Sequence, residues 1–112
     1  MLIMISGPYR SGSDDPNVWK DNLRKLNECA YEVFKKGHVP VIGVNAALPI
    51  IEASGMEKYE EIMMPVSLGL AEKCDAVFRT SEPSKGADEE VNIFAKKKLP
   101  VYRSIEEIPF AE

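Results

Sequence analysis

The fold is decided by the stretch Cys74-Asp75-Ala76-Val77-Phe78-Arg79-Thr80, which is followed by Ser84-Lys85-Gly86-Ala87-Asp88-Glu89-Glu90. The apolar run predicts a buried strand, and the Ser/Gly turn after it opens a helix that starts with three carboxylates. In an open sheet of parallel strands, ligands bind outside the carboxyl ends of the strands. The turn and the acidic start of this helix are therefore expected at the ligand-binding edge of the sheet.

Strands and helices alternate along the rest of the chain. We predict strands over 2–5, 38–42, 75–79 and 100–102, and helices over 16–36, 45–53, 57–73 and 88–98, with one more helical turn in the tail 104–112. Pro65, inside the 57–73 helix, indicates a kink or a split there. This alternation predicts a small doubly wound α/β fold over residues 1–112 as a single domain, with a parallel sheet between helices on both faces.

The predicted order of the strands in the sheet is 2-1-3-4. This order places the switch point between strands 1 and 3, so the loops that leave these two strands should border one crevice. The loop after strand 1 is Ser6-Gly7-Pro8-Tyr9-Arg10-Ser11-Gly12-Ser13. Its glycines permit close approach of the backbone, and its serines and arginine supply donors for a phosphate or carboxylate. The alternative is a Gly/Ser/Pro-rich connection that binds no ligand.

Composition excludes several function classes. With 14 basic and 18 acidic side chains, the net charge of −4 argues against binding to a nucleic-acid polymer. Cys29 and Cys74 are too few for a disulfide framework and are expected to be buried thiols in a reducing cytoplasm. The apolar run 1–5 is too short for a membrane span, and no metal or cofactor is indicated. His38, the only histidine, is predicted to be structural, and Trp19 to be a packing residue.

Glu90 is the leading catalytic candidate. The helix begins Asp88-Glu89-Glu90 and ends in three lysines, a pattern that complementarity to the helix dipole explains without any function. Glu90, however, shares a face with Ile93 and Phe94, which should turn toward the sheet. It is therefore the acid that leans into the crevice, where a helix N-terminus favours the ionised form that a nucleophile requires.

The chain resembles the nucleoside 2-deoxyribosyltransferase superfamily. The matching pieces occur in order and cover most of the chain: Ser6 to Gly12, Gly37-His38-Val39-Pro40, Leu70 to Val77, and Ser84-Lys85-Gly86 with Glu90. The resemblance implies that Glu90 attacks C1′ of a nucleoside or (deoxy)nucleotide, so that the base leaves with overall retention. It also implies that Arg10 and Ser84 hold a 5′-phosphate.

The resemblance further implies a set of site residues and an assembly. Glu90 and Tyr9 are expected to be catalytic, and the expected substrate-binding residues are Ser6, Gly7, Pro8, Arg10, Ser11, Gly12, Asp75, Ser84 and Gly86. The expected partner is a nucleoside or nucleoside 5′-monophosphate. A homodimer or larger homo-oligomer is also implied, with the apolar helix face of Ile62, Met63 and Val66 as its interface.

One departure from the family pattern leaves other functions open. The family carries an aspartate eight residues before the aspartate of strand 3, where it assists protonation of the base, and this chain has Ser67 there. The alternative function is a non-catalytic nucleotide-binding domain on the same scaffold. A flavodoxin-like carrier ranks last, because the 80–87 loop has no aromatic residue to flank a flavin.

Overall fold

A computed structural model describes residues 1–112, in which four strands alternate with helices. The strands are β1 (Leu2–Ser6), β2 (Val39–Val41), β3 (Ala76–Arg79) and β4 (Val101–Tyr102). The helices are α1 (Pro16–Lys35), α2 (Gly43–Ser54), α3 (Tyr59–Ala71) and α4 (Lys85–Lys97), and single 3-10 turns cover Met56–Lys58 and Ile105–Glu107. No helix has both the length and the apolar character needed to cross a membrane.

The four strands form one parallel sheet in the order β2-β1-β3-β4. The doubly wound α/β fold and the 2-1-3-4 order that the sequence predicts are thereby confirmed. β1 and β3 lie at the centre, and their last residues, Ser6 and Arg79, are in register. The loops that follow these two strands consequently leave the same edge of the sheet side by side.

Helices cover both faces of the sheet. Alternate strand residues point to opposite faces, so each face contributes its own set of apolar side chains. On one side Ile3, Ile5 and Phe78 pack with residues of α1. On the other side Met4 and Val77 pack with residues of α3 and α4, among them Phe94. Phe34 lies on the other face of α1, where it points outward and is 61% exposed.

The helix starts follow local capping chemistry. Asp15 caps α1 by accepting a hydrogen bond from the backbone N–H of Asn17 at 2.9 Å, with proline at the first helical position. Ser84 caps α4 by accepting from the N–H of Ala87 at 3.2 Å. Because this serine is the cap, α4 starts at Lys85, three residues before the predicted start, and Glu90 lies in its second turn rather than its first.

The 57–73 region differs from the prediction. α3 runs unbroken through Pro65, and the break lies earlier, at the 3-10 turn that follows Gly55. Gly55 has a φ of 122°, a conformation that favours glycine. The predicted interface face is already used within the chain: Met63 is buried, and Ile62 and Val66 pack against the same cluster of α2 and α3 residues. The oligomeric state stays a prediction.

Candidate functional site

A cavity of about 330 Å³ opens at the carboxyl ends of β1 and β3. Its lining comes from four segments: the loop after β1, the start of α2, α3, and the start of α4. Glu90 and Ser67 border it from α4 and α3, and Arg10 and Ser84 from the two loops. The loops that leave β1 and β3 thus converge on one crevice.

Glu90 is held between two hydroxyl groups. Glu90 is only 8% exposed. Ser6 Oγ donates a hydrogen bond to its Oε1 at 2.5 Å, and Ser67 Oγ donates one to its Oε2. Burial raises the pKa of Glu90, while the two serine hydrogen bonds and the charge of Arg79 offset part of that rise. Both carboxylate oxygens have defined partners, so the group has a fixed orientation at the cavity wall.

Gly43, the first residue of α2, makes room for this arrangement. A Cβ at this position would overlap Ser67 Oγ and would lie 3.2 Å from Glu90 Oε2. Gly43 is buried, and α2 has no side chain that caps its N-terminus. The close approach of α2, α3 and α4 at the site therefore depends on the absence of a side chain at residue 43.

Arg79 is a residue that the sequence analysis did not assign to the site. Its side chain is 5% exposed and its Nη2 lies 3.1 Å from Asp88 Oδ1 in the first turn of α4. Its Nη1 donates to the carbonyl oxygens of Thr80 at 2.6 Å and Glu82 at 2.9 Å. Arg79 therefore ties the β3–α4 loop to α4. The sequence signal for this role is the charge of Arg79, which directly follows the apolar residues 76–78.

The loop after β1 meets the turn before α4. Ser11 Oγ donates to Ser84 Oγ at 3.2 Å. The Arg10 guanidinium carbon lies 4.0 Å from the ring centroid of Trp19 and 3.7 Å from that of Tyr59. Burial raises the pKa of Tyr59 to about 12, so its hydroxyl stays neutral at physiological pH. Trp19 and Tyr59 are thus residues around the site that the sequence analysis did not assign to it.

The structure places most of the predicted site residues at the cavity and others elsewhere. Those that line it are Gly7, Tyr9, Arg10, Ser11, Ser84, Gly86 and Glu90, and Ser6 reaches it through Glu90. Pro8 lines a separate cavity of about 220 Å³ between α1 and the end of β3. Gly12 is exposed, with a φ of 70°, and does not line the cavity.

Asp75 is a correction to the predicted set of substrate-binding residues. Its Oδ2 accepts a hydrogen bond from the backbone N–H of Leu2 at 2.7 Å. It precedes β3, whereas the cavity lies beyond the last residue of that strand. Parallel strands start at one edge of a sheet and end at the other, so Asp75 lies at the edge away from the cavity. Its role is to join the starts of β1 and β3.

No family model, curated protein or solved structure matches the chain. No group of three or more histidine, cysteine, aspartate and glutamate side chains is placed to hold a metal ion. The residues of the site provide a buried carboxylate fixed by two hydroxyls, a guanidinium that lines the same cavity, and hydroxyl and backbone donors at the start of α4.

Proposed function

We propose that this chain cleaves or transfers the N-glycosidic bond of a nucleoside or (deoxy)nucleotide, with Glu90 as the nucleophile. The observation that supports the proposal most strongly is the placement of Glu90. It is the buried acid of the cavity, and donors on both oxygens hold it in one orientation. A nucleophile that forms a covalent intermediate needs this kind of fixed geometry toward one carbon of the substrate.

The proposed reaction has two steps. A Glu90 oxygen forms a bond to C1′ of the sugar while the bond from C1′ to the base nitrogen breaks, and the electron pair of that bond leaves with the base. Water, or the nitrogen of a second base, then forms a bond to C1′ as the C1′–O bond to Glu90 breaks. The carboxylate is regenerated and the attacking water or base loses a proton, as in retaining glycosidases.

The departing base also needs a proton. Ser67 stands where the resembled family has an aspartate, and a serine hydroxyl is too weak an acid for this role. Two other acids, Glu60 and Glu89, line the cavity and are exposed, so they and water are the available proton sources. We expect the better substrates to be nucleosides or nucleotides whose base leaves readily as an anion or is already protonated.

The second candidate function is a domain that binds a nucleotide without cleaving it. The raised pKa of Glu90 favours this reading, because a carboxyl group that protonates more readily is ionised over a narrower pH range. Ser67 favours it as well, since it provides a hydrogen bond to Glu90 but no acid. This candidate shares the cavity and the ligand class with the first and differs from it in turnover.

Free-base release distinguishes the two functions. The substrates are nucleosides and their 5′-monophosphates, with ribose and 2′-deoxyribose, and the released base is measured by chromatography. We expect release by the wild-type chain and a loss of at least about 1,000-fold in Glu90→Gln. Glu61→Gln, the same change at an exposed residue outside the cavity, is the matched control and should retain activity. Release that survives in Glu90→Gln, or no release from any compound, would contradict the proposed enzyme.

A further inference from the structure

The side chain of Arg10 has no polar partner in the structure. Its Nε is buried without a hydrogen bond, and no carboxylate lies within ion-pair distance of its guanidinium. A buried N–H that lacks a partner is costly, more so on a charged group. The chain carries more acidic than basic side chains, yet this guanidinium at the cavity is left free of them.

Two aromatic rings hold this cation instead. The guanidinium carbon lies within 4.0 Å of the ring centroids of both Trp19 and Tyr59. Trp19 is itself fixed, because it lies on α1 and its Nε1 donates to the carbonyl oxygen of Ser13 at 2.8 Å. Tyr59 is the first residue of α3. Stacking on rings suits a planar, weakly hydrated guanidinium and leaves its edge N–H groups available for an anion.

We infer that Trp19 and Tyr59 are positioning residues that hold Arg10 as the anion-binding group of the cavity. The identity of the anion, the 5′-phosphate of a nucleotide, rests on the proposed function. Tyr59 lines the cavity and can also touch a ligand, whereas Trp19 does not line it and acts only through Arg10. Trp19 is therefore the residue at which positioning can be separated from direct contact.

A double-mutant cycle tests the inference. Calorimetry measures the binding of 2′-deoxynucleoside 5′-monophosphates and of the matching nucleosides to the Glu90→Gln chain, in which turnover does not interfere. We expect Trp19→Leu to weaken monophosphate binding about tenfold, as a desolvated cation–π contact implies, and to change nucleoside binding less than about twofold. Trp19→Phe, which keeps an aromatic face, should restore most of the monophosphate affinity.

The coupling to Arg10 gives the decisive comparison. In an Arg10→Met background, Trp19→Leu should cause no further loss of monophosphate binding, because the group that it positions is gone. If Trp19→Leu instead weakens nucleosides and monophosphates equally, or still acts without Arg10, its role is general packing and the inference is wrong. No binding of any monophosphate would also overturn it. Binding that follows the cycle without base release from the wild-type chain would reject the proposed reaction alone.

Trp19 also provides a direct optical signal. It is the only tryptophan of the chain, so its fluorescence reports on the ring that stacks on Arg10. Monophosphate binding should change this fluorescence in the wild-type chain, and the change should disappear in Arg10→Met. A change that persists in Arg10→Met would contradict the inference.

Discussion

The hydroxyl of Ser67, on α3, donates a hydrogen bond to the carboxylate of Glu90, on α4. This contact joins the helix that precedes β3 in the sequence to the helix that follows it. Ser67 stands at the position where the resemblance to the deoxyribosyltransferase superfamily implies an acid. A donor to the charged form of a carboxylate stabilises that form. In this chain the residue therefore helps to keep Glu90 ionised, which is a different role from protonation of the leaving base.

Removal of this donor should shift the pH dependence of the reaction. Ser67→Ala takes away one of the hydrogen bonds that lower the pKa of Glu90, while the desolvation that raises it remains. If Glu90 is the proposed nucleophile, the acid limb of the kcat/KM profile for base release should move to higher pH, because a higher pH is then needed to ionise Glu90. Ser81→Ala, at an exposed serine outside the Glu90 cavity, is the control. An unchanged or lower acid limb in Ser67→Ala would refute this role.

Glu90 should also reduce the stability of the fold at neutral pH. Its folded-state pKa is above 4.5, so the folded chain binds more protons than the unfolded chain between the two pKa values. The free energy of unfolding must then fall as the pH rises from 4.5 through the folded pKa, and stay lower above it. Glu90→Gln removes the buried charge and should raise the free energy of unfolding by about 1 kcal/mol at pH 8.

The matching measurement is urea unfolding at pH 8 and at pH 4.5. The difference in unfolding free energy between Glu90→Gln and the wild type should be largest at pH 8. It should shrink toward pH 4.5, because protonation of Glu90 removes the charge by which the two side chains differ. A stabilisation that is equal at the two pH values would mean that the charge of Glu90 is not its source.

A pair of glycines tests the close approach of the helices. A methyl group on Gly43 would overlap the Ser67 side chain, whereas one on Gly69, in α3, would meet no atom within 4 Å. Gly43→Ala should destabilise the fold by about 1–3 kcal/mol through overpacking. Gly69→Ala should stabilise it by about 0.5–1 kcal/mol, since alanine favours the helix. Denaturant midpoints measure both, and equal effects at the two positions would contradict the close approach of α2 to Ser67.

Arg79 and Asp88 should contribute unequally to stability although they form one ion pair. The Arg79 side chain is 5% exposed and also holds two loop carbonyls, whereas the Asp88 side chain is 69% exposed. Arg79→Met should therefore lower the free energy of unfolding by about 2 kcal/mol, through lost charge-assisted hydrogen bonds. Asp88→Asn should lower it by less than about 1 kcal/mol. Thermal melts of both variants check this order, and a larger effect for Asp88→Asn would contradict it.

The fold was largely predictable because its signals are local. Local signals identify each element or its start: apolar runs at 2–5 and 76–78, Pro16 after an aspartate, and Ser84 before a helix. The alternation of strands and helices predicts a parallel sheet with right-handed crossovers. Several strand orders satisfy that rule, and the structure has the predicted one. The gap between the predicted 45–53 and 57–73 helices matches the break near Gly55. The kink or split expected at Pro65 is absent, because α3 continues through this residue. An exposed proline inside a helix is tolerated when the helix packs well on its other face.

The site was predictable only in part, since its contacts are long-range. The prediction that Glu90 shares an inward face of α4 with Phe94 is confirmed, since both residues are buried. Nothing in the local sequence showed that Ser67 would meet it, or that Trp19 and Tyr59 would meet Arg10, because those pairs depend on how helices pack. Asp75 shows the opposite error, in which a residue near a motif lies at the other end of its strand.

The stereochemistry of bond cleavage tests the central claim, that Glu90 attacks C1′, most directly. Cleavage of a β-nucleotide in aqueous methanol gives a methyl glycoside, which unlike the free sugar does not mutarotate, so its configuration can be read by proton NMR. A glycosyl intermediate on Glu90 predicts the β-glycoside, because two displacements restore the original configuration. The α-glycoside would contradict the account, since it would mean that methanol or water attacks the substrate directly and that Glu90 acts as a base.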